Sequence, residues 1–415
     1  MASDNTAEQA FLDYAAATPL DARVLNAMAP YLTERFENPS APYARARAVR
    51  DDVERARGDI ARLMGARPAN VTFTAGATEA NNLAFAAIDQ RAHVVVDEIE
   101  HESVLACANA HPNCVVSVGP DGRVDPKRVA ALVEPTTQLV SVELANGEIG
   151  TIQPVREVAR QLDKIREKRL AEGSKVPLFL HTDASQAAGS LSINVTSLGA
   201  NMVTLSASKV YGPKQVGLLW ADDSVRLRPL VLGGGQESGV RSGTENVPGI
   251  VGFAKALELA QQGRAEESRR LAKLRDKLEG ALAAEFPGMV VSGPRSRKNR
   301  LPGLLHVSFP GLEARRLVIL LERRGVSVGT GSACAASRMQ VSHVLDAIGL
   351  PRAVSQGSLR MTLGRPTTER QIGYAAEQIA EAVRSEMERV GLDDATMLEL
   401  AGDLAVGACR RGGER

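Results

Sequence analysis

The chain has 415 residues, 44% of them hydrophobic and 24% charged, with a formal net charge of +1. That composition supplies ample material for buried cores, suits one large and one small domain, and offers no global basic field to attract nucleic acid. No apolar run reaches the ~20 residues that span a bilayer. The start, MASDNTAEQAF, has neither the basic, apolar profile of a secretion signal nor the arginines of a transit peptide. A cytoplasmic protein is expected, with no membrane contact and no direct nucleic-acid partner. The one dense basic stretch, SGPRSRKNRLPG (292–303), is bounded by Gly and Pro, lacks aromatics and reads as a solvated loop.

In chain order, β-rich runs occur at 70–75, 93–98, 114–119, 138–144, 178–183, 202–207 and 216–221. Amphipathic helical stretches lie between them at 77–90, 101–110, 126–133 and 154–172. Alternation at this spacing predicts an α/β domain built on a mostly parallel sheet covered by helices. From 245 to about 284 the pattern is helical. A smaller α/β block follows, with strands near 304–308 and 325–329 and a helix near 370–390. The expected units are a large domain over 11–255, whose N-terminal segment packs near the smaller one, a small domain over 256–400, and a mobile tail over 401–415.

Four cysteines, Cys107, Cys114, Cys334 and Cys409, are too few and too scattered for a disulfide scaffold or a self-contained zinc site. No metal site is expected. Cys107, in VLACANA, reads as a small buried hydrophobe. Cys114 follows HPN at a turn without an evident partner, and Cys409 lies in the Gly- and Arg-rich tail. Cys334 differs: in GTGSACAAS it has no bulky apolar neighbour and reads as an accessible loop thiol.

Parallel α/β sheets bind ligands beyond the carboxyl ends of their strands, and the chain's unusual polar residues fall at such ends. TAGATEANN (74–82) puts Gly76, Ala77 and Thr78 at a strand-to-helix junction, either a plain structural turn or a phosphate seat made by free N–H groups and the helix dipole. HTDASQAAG (181–189) ends a strand on Asp183, with Gln186 three residues on. Asp183 is either a helix N-cap or the acid that pairs with a pyridinium nitrogen. SASKVYGPKQVG (206–217) sets Lys209 just after the next strand, framed by Ser206 and Ser208, where an amine can form a Schiff base with the same ring's aldehyde and the hydroxyls can serve a phosphate. His101, in EIEHESVL, opens a helix, as a capping residue or as a ring-stacking proton carrier.

These motifs, with LDYAAATPLD, NPSA, NGEIGTIQP, GGGQESGVRSGTENVPGIVGF, GSACAAS and LRMTLGRPTT, follow one another over residues 11–390 in an order that resembles the cysteine desulfurases of the NifS/IscS type, among the class V aminotransferase-like pyridoxal phosphate enzymes. The resemblance implies the aspartate aminotransferase-like fold of pyridoxal phosphate-dependent transferases and pyridoxal 5′-phosphate as cofactor. It implies the Schiff base for Lys209, ring-nitrogen pairing for Asp183, a hydrogen bond from Gln186 to the ring hydroxyl and stacking by His101. Phosphate contacts fall to Ala77, Thr78, Ser206 and Ser208, and to Thr244 on behalf of the neighbouring subunit of a homodimer. Arg360, in SLRMTLGRP, matches the arginine that grips the substrate α-carboxylate, and Cys334 the thiol that takes the sulfur of L-cysteine as a persulfide, leaving alanine. The persulfide is then implied to pass to an acceptor protein, such as an iron–sulfur scaffold or a tRNA-thiolation protein. A transient contact of Cys334 with an iron–sulfur cluster is the one metal contact this leaves room for.

Three positions depart from the family pattern: Gly147 stands where a second asparagine precedes EIG, Ser208 where a histidine precedes the lysine, and Ser238 where GGGQERG has arginine. Another class V reaction, selenocysteine lysis or transamination, is the alternative, though transamination has no use for a loop thiol. A degenerate desulfurase acting as a sulfur-relay scaffold is a second alternative, opposed by retention of Lys209, Asp183, His101 and Cys334.

Overall fold

A computed structural model of the chain describes residues 9–331 and 342–411, those from 403 onward for the backbone alone. The expected β-rich runs form seven strands: β2 (Val71–Thr74), β3 (His93–Asp97), β4 (Asn113–Val116), β5 (Thr137–Ser141), β6 (Phe179–Asp183), β7 (Met202–Ser206) and β8 (Gly217–Ala221). They make one sheet in the order β2-β8-β7-β6-β5-β3-β4. Only β8 runs against its neighbours. Strands β2, β3, β7 and β8 are buried along their whole length, as strands of a sheet covered on both faces are.

The connecting helices Ala77–Ala86, Glu102–Ala108, Pro126–Ala131 and Val155–Ala171 form as expected. Those at Ala77–Ala86 and Glu102–Ala108 cover one face, where Leu83, Phe85, Val94, Val96 and Val104 share a core. The other face packs on Val155–Ala171, on Val247–Gln262 and on Ala44–Met64, a helix the sequence reading left unassigned because its surface is so densely charged. Val49, Val53, Ala56, Ile60 and Met64 nevertheless return every three or four residues to the buried side.

Helix Val247–Gln262 continues past residue 255 and still buries Leu257 and Ala260 in the large core. The chain changes cores at Gly263, where helix Arg264–Glu285 turns Leu274, Leu278 and Leu282 into a second cluster with Phe309, Leu321 and Ile379. That cluster is built on an antiparallel sheet, β12 (Ser358–Thr362), β10 (Leu304–Ser308) and β9 (Val290–Val291). Helix Glu369–Val390 covers it and opens on a capping box between Thr368 and Gln371. The N-terminal strand β1 (Ala10–Leu12) pairs in parallel with β11 (Val326–Val328), so the first residues are structurally part of this second unit.

Two expectations change. The basic loop is only partly solvated: Arg300 is 4% exposed and paired with Glu279 at 2.8 Å, because the loop returns to the sheet unit through a bridge to Thr151. The expected tail begins inside helix Asp394–Arg411; residues 412–415 lie outside the described residues. Among the described residues no helix is long and apolar enough to cross a membrane.

Candidate active site

A cleft of about 650 Å³ opens at the carboxyl ends of the large sheet. Ala77, Thr78, His101, Asp183, Gln186, Ser206, Ser208 and Lys209 line it from the large unit, and Arg360 from the small one. Residues more than 280 positions apart in sequence thus meet at one surface. Cys334 lies outside the described residues. Thr244 does not line the cleft; it is exposed, beside Asn246 and Arg241. Ser238 is exposed as well, in a left-handed turn with Glu237, whose carboxylate is held by Arg57 at 2.7 Å.

Lys209 ends a single 3-10 turn after β7, and its Nζ donates to the carbonyls of Ala15 and Ala16 at 2.7 and 2.8 Å. The LDYAAATPLD segment therefore closes over the lysine and gives it fixed acceptors. Thr18 ties the same segment to the backbone of Ser208 and Tyr211. Tyr211, at φ +64°, turns its ring under Arg365 of the small unit, whose guanidinium lies 4.3 Å from the ring centre. The Tyr-Gly-Pro turn after the lysine is thus a clasp between the two units.

Asp183 is no helix cap. Its Oδ1 accepts from Ser185 N–H at 2.9 Å in a tight turn, and no helix starts there. Its Oδ2 accepts from Asn81 Nδ2, also at 2.9 Å. Asn81 reaches Ser103 Oγ as well, and Ser103 in turn meets His101 Nδ1 at 2.8 Å. Because Ser103 N–H also donates to Nδ1, the neutral imidazole carries its proton on Nε2. His101 is consequently both the cap of helix Glu102–Ala108 and a cleft residue, and a chain of hydrogen bonds joins it to Asp183. Asn81 and Ser103 escaped the sequence reading. Their one local signal is position: Asn81 lies one helical turn past Thr78.

Arg360 is 4% exposed and donates to Asp13 Oδ1 at 2.7 Å and to the Gly147 carbonyl at 3.3 Å. Asp13 was likewise not singled out from sequence, since nothing local marks its partner 347 residues away. The departure at Gly147 has a steric context. Its φ is not in the left-handed region, yet a Cβ there would stand 2.9 to 3.0 Å from the Gln186 side chain, which donates to the Ala15 carbonyl. The Asn146 side chain is consumed by Glu143, Ile99, Glu148 and Ile149 and cannot replace a side chain at 147.

Beneath the cleft lies a set of buried acids. Burial pushes Asp97 up to about 7. Burial and the neighbouring Asp97 raise Glu100 and Glu143 well above the ordinary carboxylate range. Glu100 accepts from Ser141, which meets His181, a buried imidazole held down to about 4. Burial thus disfavours charge on these three acids, while Asp183 lies at the cleft surface where a cationic ring would meet it.

The folded chain thus holds carboxyl protons that the unfolded chain releases near the ordinary glutamate value of 4.5. Their contribution to stability is complete below that pH and is lost as pH rises through the folded-state values. His181 acts the other way, but only below its ordinary 6.5. Glu143→Gln keeps an acceptor for Asn146 and removes one such proton, so urea unfolding of this variant is expected to lose stability less steeply than the parent between about pH 5 and 8, by about 1.4 kcal/mol per unit of relieved shift. Equal slopes would mean that Glu143 is ionised in the folded protein.

The residues present fit pyridoxal phosphate. For the phosphate there are the N-terminus of helix Ala77–Ala86 and two hydroxyls, Ser206 and Ser208, 3.0 Å apart. Gly217 lets β8 approach this seat, because a Cβ there would come within 2.6 Å of Gly76. For the ring there are Asp183 and Gln186, and for the aldehyde Lys209. Ser185 Oγ and Arg360 Nε, both buried and both on cleft residues, have no hydrogen-bond partner among the described residues, as expected of groups kept for a polar ligand.

The family model for aminotransferase class-V matches residues 10–374. Cysteine desulfurase IscS of Dictyoglomus turgidum is 38% identical over 390 residues, covering 91% of this chain and 96% of that one. Among solved structures, a NifS-like protein superposes with a TM-score of 0.83 at 33% identity, over 91% of this chain and all of its own. SspA, solved in complex with cysteine, gives 0.71 at 31% identity, over 85% and 98% of the two chains.

Proposed function

As the chain belongs to the class-V aminotransferase family, among its cysteine desulfurases, we propose that it takes the sulfur of L-cysteine onto Cys334 as a persulfide and releases L-alanine. The observation that carries this reading is the meeting of Lys209, Asp183 and Arg360, from three distant stretches of chain, in one cleft sized for a cofactor and an amino acid.

Pyridoxal phosphate, when bound, supplies an electron sink for the charge left on the substrate Cα. The chain's own groups do the rest. Ser206, Ser208 and the helix N-terminus at Ala77 and Thr78 hold the phosphate, Asp183 keeps the ring nitrogen protonated, and Gln186 serves the ring hydroxyl. Arg360 fixes the substrate carboxylate with a planar pair of N–H donors. Lys209 holds the cofactor and, once released by the substrate amine, moves the Cα proton. His101, its Nε2 protonated, is a proton donor within the same cleft. The Cys334 thiolate attacks the substrate sulfur, the Cβ–S bond breaks with its electron pair passing to Cβ, which takes a proton to become the alanine methyl, and the persulfide stays on the enzyme.

A homodimer goes with this reading: Leu230, Val231 and Leu232 are exposed in the single chain on the same loop as Thr244, and a partner subunit that covered them would receive Thr244 at its phosphate. The persulfide acceptor is a second protein of iron–sulfur assembly or tRNA thiolation. The deciding experiment measures alanine and sulfide from cysteine with and without a thiol reductant. Alanine without matching sulfide until reductant is added supports a stored persulfide; pyruvate, or no alanine, would sink the reading.

Gly147 gives a finer test. A donor to the ring oxygen favours the oxygen's anionic form and with it the proton on the lysine-bound cofactor. Gly147→Asn is expected to raise the pH midpoint of the visible absorbance by about one unit, because Gln186 is a flexible side chain that can yield the space. Gly147→Ala, whose Cβ meets Gln186 as the asparagine's does but which adds no donor, should leave the midpoint at the parent's value. A midpoint equal to the parent's in a folded Gly147→Asn protein would show that the role is already filled.

A further inference from the structure

At the opposite end of the sheet from the cleft, three side chains of metal-binding type converge. His93 opens β3, Cys114 lies in the adjacent β4, and Glu134 sits in the turn that leads into β5. One ligand atom from each falls within 4.8 Å of the others. The register explains the meeting. Cys114 pairs with Val95, two residues after His93, so both side chains leave the same face of the sheet. His93 pairs on its other side with Thr137, three residues after Glu134.

A second observation points to a ligand. His93 is 5% exposed, and its Nε2 is buried without a hydrogen-bond partner among the described residues; the Glu134 carboxylate stands 4.0 Å away. Its Nδ1 is held by Thr137 Oγ1 at 2.7 Å, and that hydroxyl also accepts from the backbone N–H of Glu134 at 2.8 Å. In the tautomer that donates Nδ1–H to Thr137 Oγ1, Nε2 presents a lone pair to the cluster. An outer hydroxyl or carboxylate on the second ring nitrogen is how metal-ligating imidazoles are oriented. Here one hydroxyl fixes both the ring and the backbone that carries the carboxylate.

We propose that His93 Nε2, Cys114 Sγ and a Glu134 carboxylate oxygen bind one divalent transition-metal ion of the zinc class, with solvent in the fourth position. The donor set of one nitrogen, one sulfur and one oxygen suits zinc or cobalt rather than magnesium or calcium, which take oxygen ligands. Ligands of this set on a tetrahedral ion stand about 3.3–3.5 Å apart, given metal–nitrogen and metal–sulfur bonds of about 2.0 and 2.3 Å. The set must contract by up to about 1.3 Å, and Glu134, 55% exposed, is open to solvent for rotation and for entry of the ion. Binding displaces the Cys114 proton to solvent, with no oxidant or reductant. The ion would clip β3, β4 and the turn before β5 together, and it shares no residue with the active-site cleft.

The test uses the full-length holoprotein carrying Cys334→Ser, so that the active-site thiol contributes nothing. Co²⁺ is titrated while the thiolate-to-cobalt charge-transfer band and the d–d bands to the red of the cofactor are followed. Zn²⁺ affinity is measured by competition with a chromophoric chelator. One equivalent with a thiolate band is expected. Cys114→Ser should lose that band, and both Cys114→Ser and the exposed, conservative Glu134→Gln should weaken Zn²⁺ by about 10–100-fold. Zinc bound no more tightly by the parent than by these variants, or a thiolate band that survives Cys114→Ser, would overturn the site.

Discussion

Lys209→Ala is expected to abolish the visible absorbance of the protein-bound cofactor and to lower cysteine turnover by about 10²–10⁴-fold or more. Two losses combine. The amine that holds the cofactor disappears, and so does the base that moves the substrate Cα proton. No other lysine replaces it: Lys214, the second lysine lining the cleft, spends its Nζ on the Thr18 carbonyl. The phosphate seat is untouched, since Ser206, Ser208 and the helix at Ala77 are placed by β7 and β2. The variant should therefore still take up cofactor, weakly and without a borohydride-reducible link to the protein. A variant that kept the absorbance together with a reducible protein-linked imine would show that the lysine has been misassigned.

Cys334→Ser is expected to leave the cofactor spectrum and its response to cysteine intact while persulfide formation falls below detection. Every described group that would hold the cofactor or the substrate carboxylate lies outside the cysteine loop, so binding is preserved. The hydroxyl that replaces the thiol is a far weaker nucleophile at neutral pH. Cys107 cannot take over, because burial pushes its thiol up to about 11 and leaves almost no thiolate. Persulfide labelling that continued at the parent rate on another cysteine would remove Cys334 from the mechanism.

The sequence by itself determined the strand–helix alternation and the functional groups at strand ends, because burial on one or two faces leaves a periodic apolar record within ten or so residues. Asp183 and Lys209 each stand just past such a run, so their place at the ligand-binding edge was legible locally. Helix Ala44–Met64 and strand β12 were not, the first because charge outnumbers its apolar stripe, the second because Ser358, Arg360 and Thr362 break its apolar run although every position is buried. Tertiary structure alone decided which groups act on each other. It joined Asp13 to Arg360, ran Asn81 and Ser103 between Asp183 and His101, and set Ala15 and Ala16 over Lys209. It also stacked Asp97, Glu100 and Glu143 where burial raises their pKa values, and brought His93 to Cys114 and Glu134. The reason is physical: apolar periodicity follows from each residue's own burial, whereas a hydrogen bond or a shifted pKa depends on a partner whose distance along the chain leaves no local trace.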